Sequence, residues 1–228
     1  MTNPFTQLPL SFKHVKNQTF DNFMVASNNL IIDSLHTFFA STECLFYLWG
    51  ESGCGKTHLI NASIDCINKQ NKSAVTILPN DISKRENVSL IEMFDVICID
   101  NVDEISTDLL LEEALFFWIN EVRQANKKIV LASCVSTSDE SWQLPDLISR
   151  LQSGRTHHLK PLDRDTALNV FNQLARDKGI WIDERVNGYL QKKCPMNMSF
   201  LSQLLKKMDE VTLIEKKHMT IPLLKKLL

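Results

Sequence analysis

The fold of this chain is decided by residues 45–70, LFYLWGESGCGKTHLINASIDCINKQ. Its first six residues form an apolar run typical of a buried strand, and the segment after residue 57 repeats apolar residues at helical spacing. Between them, GESGCGKT (50–57) has the pattern G-x-x-x-x-G-K-(S/T) of a phosphate-binding loop, placed between a strand and a helix as that motif requires. Glycines let such a loop curl so that backbone N–H groups point at phosphate oxygens, and the N-terminus of the next helix adds positive partial charge. The sequence therefore predicts a nucleotide-binding site.

Individual roles follow for three polar side chains of this site. Lys56 is expected to reach the terminal phosphates, and the Thr57 hydroxyl to bind Mg²⁺. Asp100 ends the apolar run DVICID (95–100), and its carboxylate is expected opposite Thr57 on the same ion. The predicted cofactors are ADP or ATP with Mg²⁺. The predicted nucleotide-binding residues are Gly50, Glu51, Ser52, Gly53, Cys54, Gly55, Lys56, Thr57, His58 and Asp100.

Apolar runs and helical patterns alternate on the C-terminal side of the loop. Further strands are predicted at 73–78, 95–100 and 128–133. A long helix is predicted at 107–127, with Thr107 as its cap and Asp108 nearby. Strands that alternate with helices favour an α/β fold, in which a parallel sheet carries helices on both faces.

The pattern changes near residue 160. Pro161 breaks the chain, Asp163 is predicted to cap a helix that Gly179 ends, and Asp183 is predicted to begin another helix. No strand-like run of any length follows, so this part is predicted to be helical. The predicted organisation is an N-terminal arm at 1–18, an α/β nucleotide-binding domain at 19–160 and a small all-α lid subdomain at 161–228.

Composition and charge argue against several classes of protein. The net charge is −2 at pH 7, so no overall basic field draws the chain to nucleic acid. The six cysteines include no C-x-x-C pair, which favours free thiols over disulfides or a zinc site. The N-terminus has no signal-peptide pattern, and no apolar run reaches the ~20 residues that span a bilayer. These features predict a soluble, cytoplasmic protein that does not contact membranes.

Several stretches resemble the DnaA family of bacterial replication initiators. They are QTFDNFMVASNN (18–29), LWGESGCGKTHLINA (48–62) and LPDLISRLQSG (144–154). The resemblance runs from about residue 18 to the end of the chain, and it implies an AAA+ protein with an α/β sheet domain followed by a helical lid. Members of the DnaA family normally continue into a helix-turn-helix domain that reads duplex DNA, whereas this sequence ends after the lid.

A DnaA-like core without that domain is similar to the Hda family, the regulatory inactivators of DnaA. In addition, QLPLSF (7–12) resembles the sliding-clamp-binding peptide found at the N-terminus of Hda proteins. An amide side chain offers directional hydrogen bonds, apolar side chains anchor in a groove, and Pro9 lowers the entropy cost of binding. The predicted partner-binding residues are Gln7, Leu8, Leu10 and Phe12.

The resemblance to Hda implies a regulator of replication initiation that is loaded with nucleotide, chiefly ADP. Such a protein binds the sliding clamp, contacts DNA only indirectly through it, and promotes hydrolysis of ATP bound to DnaA, which prevents re-initiation. The arginine finger of the family, which acts in trans on the neighbour's nucleotide, maps to Arg150, and Arg155 is the competing candidate. AAA+ proteins often assemble head to tail, so a homo-oligomer of this chain is an open alternative.

Three departures from the family pattern concern hydrolysis at the chain's own site. Asn101 stands where an active ATPase usually has a second acid, and an amide cannot take a proton from water. Cys134 stands where DnaA-like proteins carry Asp, and the lid Arg that touches the phosphates aligns near Ser199. These departures predict weak or no intrinsic ATPase activity. Asp103 and Glu104 are the candidates for a displaced acid, one that would replace the acid missing at Asn101.

Two other functions remain open. One is an AAA+ ATPase of the helicase-loader type with its own turnover, against which Asn101 and the clamp-like peptide argue. The other is a DnaA paralogue that binds single-stranded DNA, against which the missing C-terminal domain and the net charge of −2 argue.

Overall fold

A computed structural model describes residues 18–24, 28–212 and 218–228, so the predicted clamp-binding peptide at 7–12 lies outside the described residues. A five-stranded sheet forms the centre of the first domain. Its strands are β1 (Leu45–Trp49), β2 (Ala74–Ile77), β3 (Val96–Ile99), β4 (Lys128–Ser133) and β5 (Arg155–His158). The spatial order is β2-β3-β4-β1-β5, and every neighbouring pair is parallel.

Helices cover both faces of this sheet. They are α1 (Asn29–Ala40), α2 (Lys56–Lys69), α3 (Leu90–Met93), α4 (Leu109–Gln124) and α5 (Pro145–Ser153). Successive side chains of a strand point to opposite faces. Phe46 and Leu48 of β1 therefore pack with α1 and α2, whereas Leu45 and Tyr47 pack with α3, α4 and α5. The predicted α/β fold with a parallel sheet between two helical layers is confirmed.

The strand β5 is absent from the sequence prediction. Its residues are RTHH, which form no apolar run, and their side chains are only partly buried or exposed. The strand exists because its backbone pairs with β1 at the sheet edge, from Phe46 opposite Arg155 to Trp49 opposite His158. Backbone pairing of this kind leaves no hydrophobic signal in the sequence.

The second part of the chain is a helical lid with its own apolar core. Its helices are α6 (Arg164–Asp177), α7 (Glu184–Lys193), α8 (Met198–Thr212) and α9 (Ile221–Leu227). Asp163 and Asp183 cap α6 and α7 as predicted, because their carboxylates accept hydrogen bonds from backbone N–H groups of the first turns. Gly179 has a φ of 73°, as expected of a glycine that ends a helix. The lid also holds the short strands β6 (Trp181–Ile182) and β7 (His218–Met219), which pair in parallel and are too short to show periodicity.

The helix α4 begins one residue later than predicted. Asp108 is its cap, since its carboxylate accepts from the N–H groups of Leu110 and Leu111. Thr107 instead has a φ of 76°, and its N–H donates to the carbonyl oxygen of Ser141 at 3.1 Å. A β-branched residue rarely adopts a positive φ, so tertiary contacts hold this turn.

A buried carboxylate accounts for that turn. Glu112 is fully buried in α4. It accepts hydrogen bonds from three backbone N–H groups: Thr107 at 3.2 Å, Gln143 at 3.0 Å and Leu144 at 2.7 Å. A buried charge is tolerated when hydrogen bonds satisfy it. Glu112 therefore joins the start of α4 to the loop that leads into α5, the helix that carries Arg150.

The described residues, with their gaps at 25–27 and 213–217, contain no helix that combines the length and apolar character of a bilayer span.

The replacement Glu112→Ala is expected to lower the free energy of unfolding by roughly 3 kcal/mol, because it leaves the backbone N–H groups of Gln143 and Leu144 without their acceptor and removes one of the two acceptors of the Thr107 N–H. Urea denaturation followed by circular dichroism measures this change. The exposed neighbour Glu113 provides the matched control, and Glu113→Ala should change the free energy by less than about 0.5 kcal/mol. Equal denaturation midpoints for the two variants would contradict the role of Glu112.

Candidate nucleotide-binding site

The phosphate-binding loop lies between β1 and α2, at the edge of the sheet where the parallel strands end. Gly53 and Gly55 have φ values of 81° and 108°, in the left-handed region that favours glycine. The Lys56 side chain is 5% exposed, and its Nζ donates to the carbonyl oxygens of Gly50 at 2.7 Å and Glu51 at 3.0 Å. The predicted strand, loop and helix are present, with the lysine held inside the loop.

Thr57 and Asp100 meet at this edge although they are distant in sequence. The Thr57 hydroxyl donates to Oδ2 of Asp100 at 2.5 Å, and Oδ1 of Asp100 accepts the N–H of Asn101 at 3.0 Å. Hydroxyl and carboxylate oxygens fit Mg²⁺, which is usually bound by one or two protein ligands together with water and substrate phosphates. The part of the chain that the structure describes holds no group of three or more His, Cys, Asp or Glu side chains suited to a metal ion. A magnesium ion here would therefore depend on this pair and on the nucleotide.

The lid contacts the loop directly. A Cβ atom added at Gly53 would lie 2.3 Å from the backbone nitrogen of Ser199, in the first turn of α8. A cavity of about 380 Å³ opens beside this contact. It is lined by Glu51, Ser52, Asn197, Ser199, Phe200 and Gln203. No cation precedes Lys206 on α8, so the lid presents neutral side chains to the loop.

Of the residues expected to weaken hydrolysis, Cys134 contacts Lys56 and Asn101 follows Asp100, the partner of Thr57. Asn101 has a φ of 54°, a conformation that Asn tolerates better than most residues. The Cys134 sulfur lies 3.4 Å from Nζ of Lys56, and burial raises the pKa of the Cys134 thiol, so it stays protonated at neutral pH. Asp103 accepts the backbone N–H of Cys134 at 2.6 Å. Of the two candidates for a displaced acid, Asp103 is thus tied to the residue beside Lys56, whereas Glu104 is exposed.

The segment 18–24 packs against the loop and the start of α2, which motif reasoning did not predict. Nε2 of His58 lies 2.9 Å from the carbonyl oxygen of Thr19, and its ring meets Phe23 edge-on. Burial lowers the pKa of His58, so the neutral imidazole donates this hydrogen bond. Phe23 also covers Gly55, where an added Cβ would lie 2.7 Å from the phenylalanine ring. The structure therefore places His58 against the N-terminal segment, and adds Phe23 to the loop's surroundings.

Arg150 lies at the opposite end of the sheet, where the parallel strands begin. It is in the last turn of α5, just before β5 begins, and its guanidinium carbon is 5.9 Å from the centre of the Phe116 ring. It lines a cavity of about 620 Å³ at the starts of β1, β4 and β5. Because the strands are parallel, their starts and their ends lie at opposite edges, so Arg150 is remote from the chain's own phosphate-binding loop.

The competing Arg155 is engaged inside the protein. It forms an ion pair with Glu43 at 2.5 Å, and it donates to the carbonyl oxygen of Ser34 at 2.9 Å and to the Thr37 hydroxyl at 2.7 Å. Arg150, in contrast, forms no ion pair within the described ranges. Its guanidinium is therefore available to a group outside this chain.

A phosphate-binding loop on a five-stranded parallel sheet, with a helical lid over the loop, defines an AAA+ nucleotide-binding protein. Residues 14–160 match the bacterial DnaA ATPase domain, and residues 163–228 match the lid domain of Hda. The first match alone covers more than half of the chain, which therefore belongs to the DnaA ATPase family and carries a lid of the Hda type.

Three similar proteins illustrate this relationship. An uncharacterized protein of Haemophilus influenzae is 28% identical over 226 residues, which are 97% of this chain and 98% of that protein. Domain III of the Thermotoga maritima replication initiation protein DnaA has 20% identity and a TM-score of 0.80, over 93% of this chain and 96% of that one. AMPPCP-bound DnaA from Aquifex aeolicus has 19% identity and a TM-score of 0.70, and the match covers 87% of this chain but 66% of that one. Both DnaA structures share the fold.

The contact between lid and loop predicts the effect of Gly53→Ala. A side chain there meets Ser199 and is strained by the left-handed backbone, which costs about 1–2 kcal/mol by itself. We expect the affinity for a fluorescent ADP analogue, measured by anisotropy, to fall by about tenfold or more.

Gly188→Ala is the control, since an added Cβ at this position of α7 meets nothing within 4 Å. It should leave the affinity unchanged and raise the free energy of unfolding by up to about 1 kcal/mol. Unchanged nucleotide affinity in Gly53→Ala would show that the lid does not dock on the loop in this way.

Proposed function

We propose that this protein is a nucleotide-loaded regulator of replication initiation that promotes hydrolysis of ATP bound to a DnaA protein. The observation that carries the proposal is the position of Arg150, remote from the chain's own loop and without an ion pair among the described residues. Membership of the DnaA ATPase family and the Hda-type lid support the choice of partner.

Arg150 is the proposed arginine finger. A guanidinium carries a permanent charge and presents several N–H donors in one plane. At the edge of a subunit, it can approach a triphosphate bound by a neighbouring subunit and stabilise the charge that develops on the transferring phosphoryl group. The Phe116 ring beneath it holds the Arg150 side chain by a cation–π contact. Because the ring carries no charge, this contact leaves the guanidinium without a carboxylate partner.

The chain's own site is proposed to hold nucleotide rather than turn it over. Lys56, Thr57 and Asp100 supply the groups that bind phosphate and Mg²⁺, and ADP is the proposed resident nucleotide. Asn101 and Cys134 occupy positions where an acid would assist hydrolysis, and neither side chain accepts a proton from water at neutral pH. Occupancy then stabilises the docked arrangement of lid and loop, as any ligand of the folded state does.

The proposed organisation keeps an arm at 1–18, a nucleotide-binding domain at 19–160 and a lid at 161–228. The arm carries the proposed clamp-binding residues, which lie outside the described part of the chain. A tether to a clamp on DNA would raise the local concentration of the regulator near DnaA without direct DNA contact. The four proposed contacts are Gln7, Leu8, Leu10 and Phe12.

Phosphate release from ATP-loaded DnaA of the same source, in the presence of clamp loaded on DNA, tests this function. We expect the wild-type protein to stimulate release, and Arg150→Ala to lower the stimulated rate by about a thousandfold, or to the basal rate of DnaA if that is reached first. Replacement of both Gln7 and Leu8 by Ala should also remove stimulation, because the tether is lost.

Arg185→Ala, on the exposed surface of α7, is the control and should stimulate like the wild type. Full stimulation by Arg150→Ala would rule out this residue as the finger. Absence of stimulation by the wild-type protein would reject the proposed function.

The rate at which the isolated protein hydrolyses ATP distinguishes the proposed regulator from an ATPase of the helicase-loader type. We expect the isolated protein to hydrolyse less than about one ATP per minute, against ~10 per second for a typical enzyme. Asp103→Asn should leave this low rate unchanged. Rapid turnover that Asp103→Asn abolishes would identify Asp103 as a displaced catalytic acid and favour the loader function.

A further inference from the structure

The cavity that contains Arg150 has an uneven balance of charge. Among the described residues that line it, five are cations and one is an acid, Glu43. The cations are Arg123, Lys127, Lys128, Arg150 and Arg155. Such an excess of one sign in a concave surface attracts a ligand of the opposite charge, unless internal partners compensate it.

Three of the five cations are engaged inside the protein, two by ion pairs and one by backbone carbonyl groups. Lys127 forms an ion pair with Asp95 at 3.0 Å, and Arg155 forms one with Glu43. Lys128 donates to three backbone carbonyl groups near the end of α1, at 2.8 to 2.9 Å. These side chains hold the sheet edge together and are not available to a ligand.

The remaining two are arginines without an ion pair in the described part of the chain, Arg123 and Arg150. Arg123 is exposed in the last turn of α4. It follows Phe116, on which Arg150 lies, by seven residues. Residues seven apart share one face of a helix and are separated by about 10 Å along its axis. Two long side chains can therefore converge on one ligand in this cavity.

We propose that Arg123 is a second cation of the trans-acting site and contacts a phosphate oxygen of the triphosphate bound by the partner. This inference rests on the proposed function. Two uncompensated guanidinium groups match a polyphosphate, which carries several charges, whereas a single carboxylate would leave one of them unpaired. Arg123 takes part in no bond making; it shares with Arg150 the charge that develops during phosphoryl transfer.

The test measures hydrolysis by ATP-loaded DnaA as a function of the concentration of this protein, on clamp loaded on DNA. Arg123→Ala is expected to lower the maximal stimulated rate by about ten- to a hundredfold, with the half-maximal concentration changed less than about threefold. Arg123→Lys, which keeps the charge without the planar fork, should recover part of the rate. Gln124→Ala, at the exposed neighbouring position, should behave as the wild type.

Each alternative outcome is distinct. A maximal rate unchanged by Arg123→Ala but lost in Arg150→Ala would overturn the inference and leave the proposed function standing. A raised half-maximal concentration with an intact maximal rate would make Arg123 a docking residue and also overturn it. Absence of stimulation by the wild-type protein would reject both.

A binding measurement provides a readout independent of turnover. The affinity of this protein is compared for DnaA loaded with AMPPCP and DnaA loaded with ADP. We expect the wild type to prefer the AMPPCP-loaded form, and Arg123→Ala to reduce that preference, because the terminal phosphate is the group contacted. An unchanged preference would contradict the contact.

Discussion

Parallel hydrogen bonding of β1 to β4 and β5 is the constraint on which the other features of this protein depend. Together with the parallel pairing of β2 to β3 and of β3 to β4, it places the ends of all strands at one end of the sheet and their starts at the other. The phosphate-binding loop and Asp100 therefore meet at one edge, while Arg150 and the cationic cavity lie at the other. One small domain thus separates its candidate nucleotide-binding site from the surface that is proposed to act on a partner's nucleotide.

Two separate sets of hydrogen bonds hold the elements that carry the cationic surface. Glu112 ties the start of α4 to the loop before α5, and Lys128 binds three carbonyl groups beside the start of β1. Such bonds contribute modestly when made but cost about 1–3 kcal/mol for each buried group left unsatisfied. Arg123 on α4 and Arg150 on α5 are consequently carried by helices whose relative position is fixed. Preorganisation of this kind is what electrostatic stabilisation of a developing charge requires.

The lid and the N-terminal segment, in contrast, contact the phosphate-binding loop through neutral groups. Gly53 admits the backbone of α8 to close contact, and the first turns of that helix present Ser199 and Gln203 rather than a cation. Phe23 closes the loop from the side of the N-terminal segment. These contacts cover the loop with neutral groups, whereas a lid cation would respond to the charge of the phosphates. This difference agrees with a protein that is proposed to act through its partner's hydrolysis.

The sequence by itself determined the loop motif, the alternation of strands and helices, and the caps Asp163 and Asp183, because each depends on contacts within a few residues. Only the tertiary structure decided the rest. It paired the polar strand β5 with β1, made Glu112 a buried acceptor, and bound His58 to Thr19. It also separated Arg155, engaged by Glu43 more than a hundred residues away, from the unpaired Arg150. Those outcomes depend on groups that are distant in the chain, and no local pattern records which of them the fold brings together.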